Sequence, residues 1–120
     1  MGWKYKFPPQ ARLKKTREFE NVFKNGCKIV KQSIVVFYFP NGVGETRLGL
    51  VVSKKVGKAN VRNRIKRRLR ELFRVLRSNA SVGYDIVIIA RRNSSEQPFA
   101  VLESDMRDVF EKLVSEAREA

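Results

Sequence analysis

SKKVGKANVRNRIKRRLRELFRVLR, residues 53–77, decides how the rest of the chain is read. Eleven basic side chains stand here against Glu71 alone, so this stretch carries +10 of a chain total of +14. From Ala59 onward, at about 100° per residue, Val61, Ile65, Leu69, Leu72, Phe73 and Leu76 fall within roughly a 120° arc, the width of a core-facing stripe. Asn63, Lys66, Arg67, Arg70, Arg74 and Arg77 take the opposite arc. Arg62 and Arg68 lie at its borders, where long stems can cover apolar surface while the guanidinium reaches out. The spacing predicts a helix with one face docked and the other densely cationic. Most charge runs are solvated faces, but like charges at i, i+4 repel and weaken a helix. A polyanion that neutralises them is the simplest reason for such density.

Outward from this stretch, 120 residues with 42% hydrophobic content describe a single folded domain, 1–120, rather than a disordered basic tail. Residues 1–10 (MGWKYKFPPQ) interleave aromatics with lysines before Pro8-Pro9, which predicts an extended, partly ordered arm. Such an arm could also contact single-stranded RNA. One cysteine, Cys27, excludes an internal disulfide framework and points to a reducing compartment. No apolar run has the length of a membrane span, and the expectation is a soluble, cytoplasmic protein. Histidine is absent, so no imidazole can act as general base and no His/Cys set can hold zinc. A carboxylate–metal nuclease would need clustered acids, and Glu18, Glu20, Asp85 and the C-terminal acids show no such spacing.

On the N-terminal side, Thr16 is the expected N-cap of a short helix, with Glu18 in its first turn and Gly26 as its stop. Phe19, Val22 and Phe23 sit at i, i+3, i+4, a spacing most often used for core. Residues 28–39 carry strand signal. Period 2 across 34–39 sets Val35, Phe37 and Phe39 on one face and Ile34, Val36 and Tyr38 on the other. Pro40-Asn41-Gly42 and Gly44 mark a turn before the strand RLGLVV, 47–52. On the C-terminal side, 78–83 reads as a loop and YDIVIIA, 84–90, as a strand of a sheet interior. Asp85 is open to three readings: metal ligand, partner of Arg91 or Arg92, or solvated strand end. RRNSSEQ, 91–97, reads as a polar loop, followed by a helix whose stripe is Phe99, Leu102, Met106, Val109, Phe110, Leu113, Val114 and Ala117. From Ser94 onward seven acids face three bases, so this helix reads as scaffold that would repel RNA. The order α-β-β-β-α-β-α predicts an α+β sandwich with helices against one four-stranded sheet.

The segment from Val52 to Glu71, V-S-K-K-V-G-K-A-x-x-R-N-R-I-K-R-x-x-R-E, resembles the signature of the bacterial ribonuclease P protein family. There an R-N-R core opens a basic helix, preceded by S-K-K and a glycine. R-L-K-K followed by E-F-x-x-V-F-K-x-G, and later D-I-V-I-I-A-R, extend the resemblance over roughly Arg12 to Leu113. It implies a two-layer sandwich similar to a ribosomal-protein domain, with an uncommon left-handed β-α-β crossover around the basic helix. The usual right-handed rule would have given the opposite hand. It also implies that Phe19, Phe23 and Phe37 line a cleft for the 5′ leader of precursor tRNA, flanked by Arg12, Lys14 and Lys15. Phe37 stands where the family commonly has Tyr. Binding of the catalytic RNA is expected of Lys54, Lys55, Lys58, Arg62, Asn63, Arg64, Lys66, Arg67 and Arg70. The implied function is that of the accessory protein subunit of an endoribonuclease that matures tRNA 5′ ends by Mg²⁺-dependent phosphodiester hydrolysis. Catalysis and most Mg²⁺ binding would lie in the RNA, and the chain would act as a monomer in the holoenzyme. A non-enzymatic RNA-binding module, such as a ribosomal protein or RNA chaperone, shares the composition. The R-N-R segment and the paired Phe positions argue against it.

Overall fold

A computed structural model describes residues 11–42, 44–76 and 83–119, with side chains through Glu116. The aromatic N-terminal arm, most of the loop after the basic helix and the side chain of Ala117 lie outside the described residues. Helix α1 (Thr16–Asn25) leads into strands β1 (Cys27–Val30), β2 (Ile34–Pro40) and β3 (Arg47–Val51). Helix α2 (Ala59–Leu76), strand β4 (Tyr84–Ala90), a 3-10 helix (Arg92–Glu96) and helix α3 (Phe99–Glu119) follow.

The sheet order is β1-β2-β4-β3. β2 pairs antiparallel with β1 and with β4, whereas β3 runs parallel to β4, joined to it through α2. β4 is central and covered on both faces, which is why YDIVIIA is nearly all apolar. Ile34, Val36, Tyr38, Leu48, Ile86 and Ile88 turn to one face, where α2 (Ile65, Leu69, Leu72, Phe73, Leu76) and α3 (Leu102, Met106, Val109, Phe110, Leu113) close the main core. Each such side chain contributes about 1.5–3 kcal/mol by leaving water. On the other face lies the short α1, whose Val22 is fully buried against Val87, with Phe19, Phe37, Phe39, Val51 and Ile89 packed around them. Phe37 is thus on the α1 face, while Tyr38 is in the main core with its hydroxyl donating to both Glu116 oxygens at 2.9 Å.

Several local expectations are corrected. Lys15, not Thr16, is the N-cap of α1. The cap is supplied from within the helix, because Glu18 Oε1 reaches back to accept from the backbone N–H groups of Lys14 and Lys15, each at 2.9 Å. Gly26 ends α1 with an extended backbone rather than a left-handed one. Its requirement is space: a Cβ there would sit 2.5 Å from Val22 O and 2.6 Å from Tyr38 O. The turn glycines Gly42 and Gly44 do adopt positive φ, 71° and 86°. The 91–97 loop contains the 3-10 helix, tied to the S-K-K turn by Ser95 Oγ donating to Val56 O at 2.9 Å. Phe99 is not core: it is 40% exposed, with the Arg68 guanidinium 4.8 Å from its ring centroid.

Glu18 gives the fold a pH dependence. The two backbone N–H groups, then Arg47, hold its carboxyl below its ordinary 4.5 despite some desolvation. A depressed folded-state value means that the ionised carboxylate stabilises above the unfolded value and loses that contribution as pH falls through the folded one. Glu18→Gln should therefore melt below wild type near neutrality, and the gap in thermal midpoint should close as the pH is taken below 4.5. A gap independent of pH would show that the charge is not what caps α1.

Candidate nucleic-acid interface

The basic helix divides into two flanks. Asn63, Arg64 and Arg67 are exposed, as are Lys54, Lys55 and Lys58 in the lead-in. Arg62, Lys66 and Arg70 are half-buried on the flank that turns toward β3. Val56, 4% exposed, pins the lead-in to the core, and a turn closes as Val56 N–H donates to Ser53 O at 3.0 Å. Arg62 serves the helix start as well, since its Nε donates to Gly57 O at 3.2 Å. The acid of α2, Glu71, is taken up by Arg74 at 3.0 Å, and among the described residues no ion pair joins another cation of the helix to an acid.

On the opposite face of the sheet, α1 and β2 form an aromatic trough. Phe23 and Phe37 meet edge to face with centroids 5.0 Å apart, and Lys28 Nζ stands 5.7 Å from the Phe37 centroid. Phe23 is 40% exposed, so the trough is open to a ligand rather than sealed as core. Phe19, deeper in, lies directly over β3, where a Cβ on Gly49 would come within 2.5 Å of its ring. Gly49 was missed from the sequence, although a glycine inside a strand pattern signals close approach of another group.

The trough and the basic helix are not separate surfaces. Leu13 N–H donates to Leu48 O at 2.9 Å, and Arg12 bridges to Leu48, so residues 11–13 ride along the β3 edge. That pairing brings Arg12 beside Lys66, Arg70, Phe19 and Gly49 around a pocket of about 190 Å³. Burial, and then the Arg12 charge, lowers the Arg70 pKa, the signature of cations gathered in a partly desolvated place. Such a place suits a phosphate next to an aromatic ring. Lys14 and Lys15 stay apart from it, exposed at the start of α1.

Asp85 belongs to neither surface. It is 4% exposed and accepts from Arg47 Nε and Nη2, each at 2.8 Å, and from Asn41 Nδ2 at 2.9 Å. Its partner is therefore Arg47, not Arg91 or Arg92. Arg47 also reaches Glu18 at 3.7 Å, so the acids near the trough are already engaged. Among the described residues no three acidic or cysteine side chains converge where they could hold a metal ion. Nor is any described helix long and apolar enough to cross a membrane.

The sequence and the fold resemble those of known proteins. The Ribonuclease P family model matches residues 7–114. The ribonuclease P protein component of Caldanaerobacter subterraneus subsp. tengcongensis is 46% identical over 102 residues, covering 85% of this chain and 88% of the relative. The solved structure of the RNase P protein from Thermotoga maritima superposes with a TM-score of 0.76 at 35% identity, covering 84% of this chain and 96% of that one. The Staphylococcus aureus RNase P protein gives 0.72 at 32%, covering 89% and 94%. With fold, basic helix and near full-length similarity in agreement, the chain belongs to the ribonuclease P protein family.

Proposed function

We propose that this subunit grips the catalytic RNA with the exposed flank of α2 and its lead-in, and captures the 5′ leader of precursor tRNA in the trough. The observation that carries this reading is the pocket where Arg12, Lys66 and Arg70 meet Phe19. A single strand stacked on Phe19, Phe23 and Phe37 would run its backbone onto those cations and reach the basic helix without a break. Phosphate contacts position and ring stacking tolerates any base, which suits a leader of variable sequence. Catalysis is assigned to the RNA, as membership of the family implies, and a chain without histidine is consistent with that assignment. The Mg²⁺ of the reaction would accordingly be bound mainly by the RNA of the complex. The subunit is assigned to the cytoplasm, as one copy per RNA, in keeping with its exposed free Cys27.

The test compares precursor with mature tRNA in the reconstituted complex. Replacing Phe19 and Phe23 by Ala should cost precursor binding about 1–3 kcal/mol per lost base stack, with mature tRNA little changed. Gly49→Ala should act in the same direction with both phenylalanines retained, since the new methyl displaces the Phe19 ring. Equal losses for both substrates would make the rings structural and remove the trough from the interface.

A further inference from the structure

Beside the S-K-K turn, on the side of the 3-10 helix, a second pocket of about 320 Å³ is lined by Lys55, Val56, Arg91, Arg92, Asn93 and Glu96. The size is near the lower end of small-ligand sites, about 300 Å³, and suits a single nucleotide. Its chemistry is divided. Three cations line it, of which Arg91 spends Nη1 on Lys31 O at 2.9 Å, while Lys55 and Arg92 are exposed. Glu96 shares the pocket, yet among the described residues no ion pair within 4.0 Å joins it to any of these cations. Asn93 contributes a buried Oδ1 with no hydrogen-bond donor. No hydrogen bond to a described residue restrains that amide, so rotation toward the pocket breaks none. The walls are firm, because Ser95 Oγ bonds Val56 O at 2.9 Å and Ser94 N–H bonds Arg91 O at 2.9 Å.

Donors for an anion, an exposed carboxylate and an amide oxygen without a donor among the described residues, all in one small pocket, describe a ligand with a phosphate at one end and hydrogen-bond donors at the other. We propose that this pocket holds one unpaired guanosine of an RNA, its phosphate on Lys55 and Arg92 and its Watson–Crick edge on Glu96 and Asn93. Guanine is the base that offers adjacent donors, N1–H and N2–H, to a carboxylate; uracil offers N3–H alone between two carbonyls. Unpaired bases are the form in which RNA is read by such edge contacts. The inference deepens the RNA-binding reading above, and it places Arg92, Asn93 and Glu96 in a site that the basic helix does not include.

The first experiment needs no RNA partner, so its outcome is independent of assembly with a catalytic RNA. The full chain, labelled with ¹⁵N, is titrated with guanosine 5′-monophosphate, uridine 5′-monophosphate and inorganic phosphate. The guanosine nucleotide should saturably shift the amides of 55–56 and 91–96 and bind at least about fivefold more tightly than the uridine nucleotide. Glu96→Gln places an N–H against the donors of guanine and should erase that preference while keeping phosphate-driven binding. Arg92→Ala should weaken both nucleotides alike. Retained preference in Glu96→Gln, or no shift in these amides, overturns the proposal. In the reconstituted complex, a Glu96→Gln loss confined to catalytic-RNA affinity assigns the guanosine to that RNA. A loss confined to precursor affinity assigns it to the precursor, and a loss in neither overturns the RNA as the source. Both side chains are at the surface, and an unchanged melting curve shows that the variants are folded.

Discussion

Replacing Lys58, Arg64 and Arg67 together by Ala should weaken assembly with the catalytic RNA by roughly a hundred- to a thousandfold near 0.1 M salt. All three are exposed, and among the described residues none of their side chains makes a hydrogen bond or an ion pair. The described fold therefore loses no side-chain hydrogen bond or ion pair, and relief of repulsion along α2 should leave thermal stability unchanged or slightly raised. The magnitude follows from counterion release. Each phosphate neutralised contributes about 0.9 to the slope of log K against log salt on a duplex, and about 0.7 on a single strand. Three such contacts change the slope by about 2–3, which at 0.1 M is roughly two to three decades of affinity. The measurement is binding of the catalytic RNA over a salt series. Lys112→Ala, on the exposed part of α3, is the control and should leave the slope alone. A triple variant with the wild-type slope would take the exposed flank of α2 out of the interface, whatever its affinity.

Which parts of this arrangement can be read from the chain depends on whether the cause is local. The α2 stripe is local: Ile65, Leu69, Leu72, Phe73 and Leu76 are all buried as their period requires. So is the β2 alternation, which separates Phe37 from Tyr38. Phe99 follows the α3 spacing too, yet it stands in the first turn, beyond the sheet, where Arg68 covers it instead of the core. Period alone cannot say where an apolar stripe outruns its partner. The sequence leaves Asp85 open between a metal ligand, a partner of Arg91 or Arg92 and a solvated strand end, whereas the parallel β3–β4 register sets Arg47 directly opposite it. The junction pocket was equally hidden, because Arg12 reaches Lys66 and Arg70 only once residues 11–13 have docked on the β3 edge. The family resemblance groups Arg12 with the leader and the other two with the catalytic RNA. Long-range pairing, not side-chain type, joins them.

That dependence on long-range pairing gives Asp85 its weight. Asp85→Ala should destabilise the chain by about 3 kcal/mol, the lower part of the range for a buried pair broken on one side, because Arg47 keeps some access to water. Arg47 would retain Glu18 at 3.7 Å but lose both 2.8 Å bonds, and Asn41 Nδ2 would lose its 2.9 Å acceptor. In a domain of this size the thermal midpoint should fall by on the order of 10–15 °C. The double variant Asp85→Ala, Arg47→Met tests the cause, since it removes the stranded guanidinium and should recover part of the loss. No recovery would mean that the cost is a cavity or the Asn41 contact rather than an unpaired charge. Function should respond unevenly below the midpoint. Arg47 links Glu18 on α1 to Asp85 on β4, so its release loosens the helix that carries Phe19 and Phe23, while α2 is held on the opposite face by the main core. Precursor binding should therefore weaken before assembly with the catalytic RNA does. Parallel loss of both would show that the two faces of the sheet unfold as one unit.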